Sequence, residues 1–196
     1  MQAARKAVLL AAILVIFGVF ALTRSRTFGP DIHEVFEWGG VGLIVACIVG
    51  RCWCSLYIGG RKISELVRTG PYSLCRNPLY TFSFLGAAGA MAQSGSIVLT
   101  LAGTAICWAV FRTVVGKEEQ LLLSIYGADY ADYLATTPRF LPDFRLWRDS
   151  EVLQVRPRLI AMTLVDGMVF LLVIPLAELL EYLQTIGVIP VLLNLP

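Results

Sequence analysis

The segment that decides the fold separates two apolar runs and reads GPYSLCRNPLY over residues 70–80. It is polar and contains two prolines, Pro71 and Pro78. A second polar segment follows the next apolar runs, beginning at Lys117 and continuing to Pro142. We expect the two segments to lie on one side of a membrane and to carry the chemistry of the chain.

The composition is that of a membrane protein. Of the 196 residues, 57% are hydrophobic and 15% are charged, and the mean hydropathy is +0.73. Soluble domains are nearer to about 50% apolar and 25% charged. A spanning helix needs about 20 apolar residues. We therefore predict an all-α membrane bundle of about five spans, forming one domain over residues 1–196, from the runs 6–23, 35–58, 79–93, 97–115 and 159–183.

Two details of these runs can be predicted. The first run is preceded by basic residues like a signal peptide, but no small-residue cleavage site follows it, so we interpret it as an uncleaved span. Pro175 is predicted to kink the fifth run, because proline removes a backbone donor. The apolar tail 186–196 is too short to span and is expected at the membrane interface.

The distribution of Lys and Arg predicts the orientation. With the N-terminus in the cytoplasm, thirteen basic residues fall inside and only Arg24 and Arg26 fall outside. Cytoplasmic loops of membrane proteins carry such an excess. The stretches between the apolar runs, 59–78 and 112–158, are therefore expected on the cytoplasmic face of a multi-pass protein. They carry most of the two polar segments, which can meet there. We expect no nucleic-acid partner, and the sequence does not indicate an oligomeric state.

Asn77 and Pro78 are predicted to start the third membrane helix. Asn is a favoured N-cap, and proline is favoured at the first helical position. A helix N-terminus attracts anions through its unpaired N–H groups and its positive dipole end. With Arg76 beside it, this start predicts a site for a carboxylate or phosphate. The alternative is a capped helix with an interfacial arginine and the interfacial tyrosines Tyr72 and Tyr80.

The second polar segment begins with Glu118 and Glu119. Neighbouring residues on a helix point about 100° apart, so only one of the two is expected to face a ligand. The helix should end at Gly127, because glycine is a favoured C-cap. Tyr130 and Tyr133 are interpreted as part of an interfacial aromatic belt. The arginines and aromatic residues of the stretch 139–148 suit a segment lying on the membrane surface.

Both segments resemble the signature of a known family. The first, with Gly70, Tyr72, Arg76-Asn77-Pro78 and Tyr80, is similar to the G-x-Y-x-x-x-R-H-P-x-Y signature of the isoprenylcysteine carboxyl methyltransferases, which the membrane phospholipid methyltransferases share. The second is similar to the family's E-E…G-x-x-Y-x-x-Y…P-x-x-x-P block. The resemblance covers a motif core of residues 57–145 and leaves 159–196 as an extra span and tail.

The resemblance implies an S-adenosylmethionine-dependent membrane methyltransferase whose site faces the cytoplasm and whose acceptor is lipophilic or membrane-embedded. Glu118 is expected to hold the amino group of the cofactor. Carried over by motif position, the cofactor-binding residues are Leu66, Val67, Tyr72, Arg76, Asn77, Pro78, Tyr80 and Glu118.

The family pattern is less complete on the acceptor side. Members with an arginine four residues before the first glutamate use it on the substrate, whereas Val114 stands there in this chain. Arg112 is the nearest arginine and is our candidate catalytic residue for orienting the acceptor. Three acceptors stay open: a phospholipid amine, a prenyl-type carboxylate and a thiol.

Two other classes of function stay open. A membrane sterol-type reductase that uses NADPH has a related R-H-P-N-Y signature followed by Gly-Glu, whereas Tyr80 is followed here by Thr81 and Phe82. A non-enzymatic membrane scaffold would keep the fold and bind neither cofactor. Binding of S-adenosylhomocysteine, NADPH or neither compound separates the three classes.

Several residues of the spans also allow predictions. Arg51 and Asp166 are expected at similar depth in the second and fifth spans, and buried ionisable residues usually pair, so we predict a contact between them. Cys75 adjoins the first polar segment and is expected to be accessible. Cys52 and Cys54 lie two residues apart and do not share a helix face, so we expect no metal site.

Small residues are predicted to bring the helices close together. Glycine lets helix backbones approach each other in membranes. The candidates are Gly39, Gly40 and Gly42 in the second span, and Gly86 with Ala90 in the third.

Overall fold

The computed structural model describes residues 18, 23–25, 30–61 and 64–195. The predicted first span, residues 6–23, lies almost entirely outside these described residues. The chain is built from helices joined by short connections. In order, the elements are β1 (Thr23–Ser25), α1 (Pro30–Ile58), α2 (Pro71–Leu74), α3 (Pro78–Ala92), α4 (Ile97–Tyr126), α5 (Ala128–Thr136), a 3-10 turn (Phe144–Leu146), α6 (Pro157–Met168), a 3-10 segment (Val169–Leu172), α7 (Val173–Thr185) and β2 (Leu193–Leu195).

The predicted all-α membrane fold is confirmed. Among the residues that the structure describes, three helical stretches are long and apolar enough to cross a membrane: Glu34–Ile58, Ile97–Tyr126 and Pro157–Thr185. Helix α3 is apolar but has 15 residues, fewer than the roughly 20 that a spanning helix needs. A count of five spans depends on α3 and on residues 6–23, and it stays a prediction.

The two short strands pair with each other in parallel and join the chain before α1 to the chain after α7. Thr23 is paired with Leu193, and Ser25 is paired with Leu195. The side-chain amide of Gln184 donates to the carbonyl oxygen of Thr23 at 3.1 Å and supports this contact.

The core of the bundle is the contact between α1 and α3, which glycines make possible. A Cβ atom on Gly89 would lie 2.5 Å from the carbonyl oxygen of Gly40, and one on Gly86 would lie 2.5 Å from the Cys47 sulfur. The predicted close approach is therefore present at Gly40 and Gly86. On α3 it involves Gly89, one residue before the predicted Ala90.

The fifth predicted span is interrupted near Pro175, as expected. Its two α-helical parts are separated by the 3-10 segment Val169–Leu172. Proline lacks a backbone donor, and its ring collides with the carbonyl group four residues earlier, which here belongs to Leu171. The tighter 3-10 hydrogen bonding accommodates this loss one turn before the proline.

The predicted contact between Arg51 and Asp166 is wrong. The Arg51 Nη1 atom donates to the Ser83 hydroxyl at 2.5 Å, across the α1–α3 contact. Asp166 is exposed on α6. Matching depth was the basis of the prediction, but depth does not fix the direction in which a side chain leaves its helix.

Gly89→Ala is expected to destabilise the fold, because the new methyl group would meet the backbone of Gly40. We expect a loss of about 1–3 kcal/mol, typical of an overpacked contact. Thermal unfolding of the purified protein in detergent measures it. The matched control is Gly42→Ala, where a Cβ atom would meet nothing within 4 Å. Because glycine is a poor helix former, the control should be neutral or slightly stabilising, and equal losses in both variants would contradict the packing argument.

Candidate functional site

A cavity lies where the two polar segments meet, beside the end of α1. It collects most of the residues that the sequence singled out: Leu66, Val67, Tyr72, Arg76, Asn77, Tyr80 and Glu118 all line it. Pro78 is buried at the start of α3 next to this lining. The remaining lining residues are Ile58, Glu65, Leu79, Leu122, Tyr130 and Tyr133.

The two segments are joined directly by Tyr80 and Glu118. The Tyr80 hydroxyl donates to the Glu118 Oε2 atom at 2.8 Å, and the Tyr80 ring packs edge-on against Phe111 with centroids 5.6 Å apart. Phe111, Glu118 and Leu122 recur at spacings of seven and four residues, which places them on one face of α4. This face turns Glu118 toward the cavity.

Glu119 has a different role from its neighbour, as the helical geometry predicted. Its side chain is 11% exposed. One carboxylate oxygen accepts from Arg76 Nε at 3.1 Å and from Asn77 Nδ2 at 3.0 Å. The other lies 2.9 Å from Arg139 Nη2. A buried carboxylate needs such compensation for its lost hydration, so Glu119 holds three parts of the chain together.

Asn77 precedes α3 as predicted, but its side chain does not cap the helix. The amide nitrogen donates to Glu119 and, at 3.2 Å, to the carbonyl oxygen of Arg139. The backbone carbonyl of Asn77 accepts from the N–H groups of Tyr80 and Thr81. The buried carboxylate competes successfully for the amide, because a hydrogen bond to a charged acceptor is stronger than one to a neutral group.

Arg76 is also committed to the fold. Besides Glu119, its guanidinium donates to the carbonyl oxygens of Leu134 at 2.8 Å and Thr137 at 2.5 Å. These two carbonyls lie at the end of α5, where helix carbonyls lack intrahelical partners. Arg76 therefore fixes the position of α5 against the start of α3, and it borders the cavity with a charge that is already compensated.

The interpretation of Tyr130 and Tyr133 as an interfacial belt is wrong. Their side chains are only 2% and 4% exposed, and both line the cavity. The Tyr133 hydroxyl donates to the carbonyl oxygen of Tyr72 at 2.5 Å. The chain breaks at Gly127, where φ is +53°, and the break redirects α5 so that its tyrosines face inward.

Tyr72 presents an unpaired hydroxyl to the cavity. The ring is 5% exposed, and among the described residues nothing pairs with its buried hydroxyl oxygen. Burial raises the pKa of Tyr72 well above its ordinary value, and burial likewise raises the pKa of Tyr130 to about 12. Both hydroxyls therefore stay protonated at neutral pH and can donate to a ligand.

The stretch 138–149 forms backbone hydrogen bonds to the first polar segment, which lines the cavity. The N–H of Arg76 donates to the carbonyl oxygen of Pro138, and the N–H of Gly70 donates to that of Arg148, each at 2.8 Å. Gly70 has a φ of +59°, and a Cβ atom there would lie 2.2 Å from the Tyr57 ring. This stretch therefore holds the first polar segment in place. Leu141 and Phe144 remain 82% and 74% exposed, consistent with the predicted location at the membrane surface.

One wall of the cavity is held by surface contacts. Arg68 lies at 3.3 Å from the Asp132 carboxylate, donates to the carbonyl oxygen of Asp129, and lies over the ring of Tyr133. The cavity volume is about 70 Å³, whereas pockets for ligands of cofactor size measure roughly 300–1,000 Å³. A large ligand therefore has to move a wall. The ion pair of Arg68 in the stretch 66–68 is exposed, and an exposed ion pair contributes little stability.

Two predicted positions lie apart from the cavity. Arg112 is exposed on α4 and is not among the lining residues. Its role toward an acceptor stays a prediction. Cys75 is 2% exposed, so the prediction that it is accessible is wrong. The stretch 138–149 packs over the first polar segment and buries it.

The lining residues that sequence reasoning missed are mainly apolar. No ionisable or hydrogen-bonding side-chain group marks Ile58, Leu79 or Leu122 as a candidate site residue in the sequence. The spacing of Leu122 four residues after Glu118 places it on the same helix face, and this periodicity was the available clue. Glu65 lies next to the motif but matches no position in it.

Glu119→Gln is expected to lower the stability of the whole protein. The substitution leaves Arg76 and Arg139 with reduced compensation, and breaking a buried ion pair costs about 3–5 kcal/mol. We expect a loss near the lower end, because glutamine keeps one acceptor oxygen. Thermal unfolding in detergent tests this, with Glu151→Gln on the exposed surface as the matched control. A Glu119→Gln variant as stable as that control would contradict the assigned role.

Stability is expected to fall as the pH rises above 9. Burial raises the pKa of the Cys75 thiol from its ordinary value of 9.0 to about 11, so the unfolded chain releases this proton at lower pH than the folded chain does. The contribution of the protonated thiol to the free energy of unfolding is fully present below pH 9 and is lost by about pH 11. The loss amounts to about 3 kcal/mol at most. Unfolding in detergent at pH 8 and 10.5 measures it. In Cys75→Ala the decline should be smaller, and an identical decline would refute the assignment.

Comparisons with known proteins place part of the chain, including both polar segments in part, next to a known family. The family model for phospholipid methyltransferase matches residues 45–129, which includes both Tyr80 and Glu118. The protein-S-isoprenylcysteine O-methyltransferase of Mus musculus is 23% identical over 133 residues, covering 61% of this chain and 47% of that protein. No solved structure matches the chain.

Two bacterial relatives are more similar and carry different names. The nickel-cobalt-cadmium resistance protein of Alcaligenes xylosoxydans is 41% identical over 133 residues, covering 68% of this chain and 62% of that protein. The cobalt-zinc-cadmium resistance protein of Cupriavidus metallidurans is 34% identical over 171 residues, covering 87% and 79%. Within the described ranges, no group of three or more His, Cys, Asp or Glu residues is placed to hold a metal ion.

The sequence signature, the matched family model and the methyltransferase relatives lead to one assignment. This chain belongs to the membrane methyltransferase family that comprises the isoprenylcysteine carboxyl methyltransferases and the phospholipid methyltransferases.

Proposed function

We propose that this protein is an S-adenosylmethionine-dependent methyltransferase that acts on a lipophilic acceptor at the cytoplasmic surface of the membrane. The observation that carries the proposal is the hydrogen bond between Tyr80 and Glu118, at 2.8 Å. It brings the two halves of the family signature, 38 residues apart, to the rim of one cavity.

The residues of the cavity fit the chemical groups of this cofactor. Glu118 offers a carboxylate to an amino group, and the unpaired Tyr72 hydroxyl offers a donor. Leu66 and Val67 form an apolar wall that suits the flat face of a base. Arg76, Asn77 and Tyr80 also line the cavity, and Pro78 is buried beside them. The cavity lining thus provides a carboxylate, a buried hydroxyl and an apolar surface. A charged nucleoside derivative needs these three kinds of contact.

Adenosylmethionine, when bound, supplies a methyl group on a positively charged sulfur, and the protein needs no nucleophile of its own. The work of the chain is to bind, to align and to exclude water. Tyr80 fixes the Glu118 carboxylate by donating to it. Tyr130 and Tyr133 close the floor of the cavity with buried rings, so an acceptor meets the reactive group in a dry site.

The acceptor is proposed to reach the cavity from the membrane. The cavity lies beside the end of α1 and the start of α3, at the boundary of the membrane-embedded part. The excess of Lys and Arg in the same segments supports a cytoplasmic location. Phospholipid amines, prenyl-type carboxylates and thiols remain the candidate acceptors. A role for Arg112 requires an acceptor that extends outside the cavity along the exposed face of α4.

The names of the two bacterial relatives favour a second, broader role. We propose that methyl transfer by this protein contributes to resistance against divalent transition metals, through modification of a membrane component. Growth in nickel, cobalt or cadmium of a strain lacking the gene, complemented with wild-type protein or with Glu118→Gln, tests this role. Equal resistance in both complemented strains would exclude methyl transfer from it.

Glu118→Gln is expected to weaken binding of S-adenosylhomocysteine by tenfold or more, since a hydrogen bond to a charged group contributes about 1.5–3 kcal/mol. Calorimetry on the detergent-solubilised protein measures the affinity. Glu178→Gln, on the exposed surface of α7, is the matched control and should bind like the wild type. Unchanged affinity in a folded Glu118→Gln variant would remove Glu118 from the site. Binding of NADPH instead would favour the reductase, and binding of neither would favour a scaffold.

A further inference from the structure

Arg51 is a positive charge inside a membrane span that the proposed methyl-transfer site does not use. It lies seven residues before Ile58, the end of α1, which corresponds to about 10 Å along the helix. Side chains on a helix lean toward its N-terminus, and for Arg51 that direction leads away from the nearer end of the span. An arginine side chain does not release its proton in proteins, so the charge persists at this depth.

The contacts of Arg51 do not compensate this charge. Its Nη1 atom donates to the hydroxyl of Ser83 at 2.5 Å, and that hydroxyl donates in turn to the carbonyl oxygen of Leu79 at 2.8 Å. The partner is therefore a neutral group. In the part of the chain that the structure describes, the buried Nε atom of Arg51 has no hydrogen-bond partner. A guanidinium offers five N–H donors, so the site is short of acceptors.

No acidic side chain that the structure describes is placed to neutralise Arg51. Among the described side chains, no carboxylate forms an ion pair with it. The stretches outside the described residues contain no Asp or Glu. Asp31 precedes Arg51 by twenty residues on the same helix, about 30 Å away. An arginine within a membrane usually faces an anion or a water-filled space, and an anion at this site would have to come from another molecule.

Arg51 lies close to the cavity on its membrane side. Ser83, which binds Arg51, is one helical turn from Leu79, which lines the cavity, and four residues correspond to about 6 Å. Cys54, one turn after Arg51 on α1, packs in the same buried cluster as Tyr72. A molecule that enters from the bilayer can therefore contact Arg51 and present another of its atoms to the cavity.

We propose that Arg51, anchored by Ser83, binds the anionic group of the lipophilic acceptor. That the ligand is a methyl acceptor rests on the proposed methyl transfer. That the ligand carries an anionic group rests on Arg51 alone. A guanidinium binds a carboxylate or a phosphate through two parallel hydrogen bonds. The site therefore selects acceptors that carry such a group, and it disfavours lipids whose only charge is positive.

Binding to protein in phosphatidylcholine nanodiscs tests the proposal. The probes are dansyl-undecanoic acid and its methyl ester, which differ in the charge at one end. The wild type is expected to bind the acid at least tenfold more tightly than the ester. Arg51→Gln should remove this difference, Arg51→Lys should retain part of it, and Arg158→Gln, an exposed arginine at the start of α6, should leave it unchanged.

Equal binding of acid and ester to the wild type would overturn the proposal, as would an acid preference that survives Arg51→Gln. Retained binding of S-adenosylhomocysteine shows that Arg51→Gln is folded. Should it not fold, Ser83→Ala removes only the anchor of the guanidinium and is expected to weaken acid binding by about threefold; an unchanged affinity there would count against the site.

Two further results separate this inference from the proposed function. Displacement of the acid by an equal concentration of phosphatidic acid would overturn the assignment to an acceptor, because Arg51 would then bind bilayer lipids in general. A wild-type protein that prefers the acid but binds no S-adenosylhomocysteine would refute the proposed methyl transfer, while the anion site at Arg51 would stand.

Discussion

The buried carboxylate of Glu119 is the interaction on which the site depends. It binds Arg76 and Asn77 from the first polar segment and Arg139 from the stretch after α5. A carboxylate taken out of water needs several donors to offset the loss of hydration, so these three side chains are held in fixed positions. Because Glu119 meets this structural need, the adjacent Glu118 is left to line the cavity. One glutamate of the pair holds the surrounding segments together, and the other faces the cavity.

The sequence predicted the features that depend on local rules. The start of α3 at Pro78, the end of α4 at Gly127 and the interruption before Pro175 each follow from the backbone chemistry of one residue. That Tyr80 and Glu118 line one cavity was predicted only because the motifs resemble a family, since no spacing rule relates residues so far apart; their direct hydrogen bond was not predicted. The inward direction of Tyr130 and Tyr133 depends on the turn at Gly127 and was not predictable from their helical period.

Two of the failed predictions share one physical cause. Asn77 was expected to cap its own helix, and Arg51 was expected to pair with Asp166. In both cases a partner on another helix takes the side chain, and the choice is set by packing that local sequence does not encode. The glycines of α1 and α3 bring Ser83 within reach of Arg51. Close helix packing thereby leaves the arginine without a carboxylate partner, and Asp166 stays on the surface.

The length of α4 has a consequence for how the protein responds to its membrane. With 30 residues, α4 measures about 45 Å, whereas the hydrocarbon layer of a bilayer is about 30 Å thick. Part of α4 therefore has to lie outside the acyl chains unless the helix tilts, and the predicted orientation assigns that part to the final turns, which carry Glu118. A thicker or thinner bilayer shifts this end relative to the lipid surface or tilts the helix. For the proposed methyl transfer, lipid chain length then becomes a variable that sets how easily a lipophilic acceptor and a water-soluble methyl donor meet.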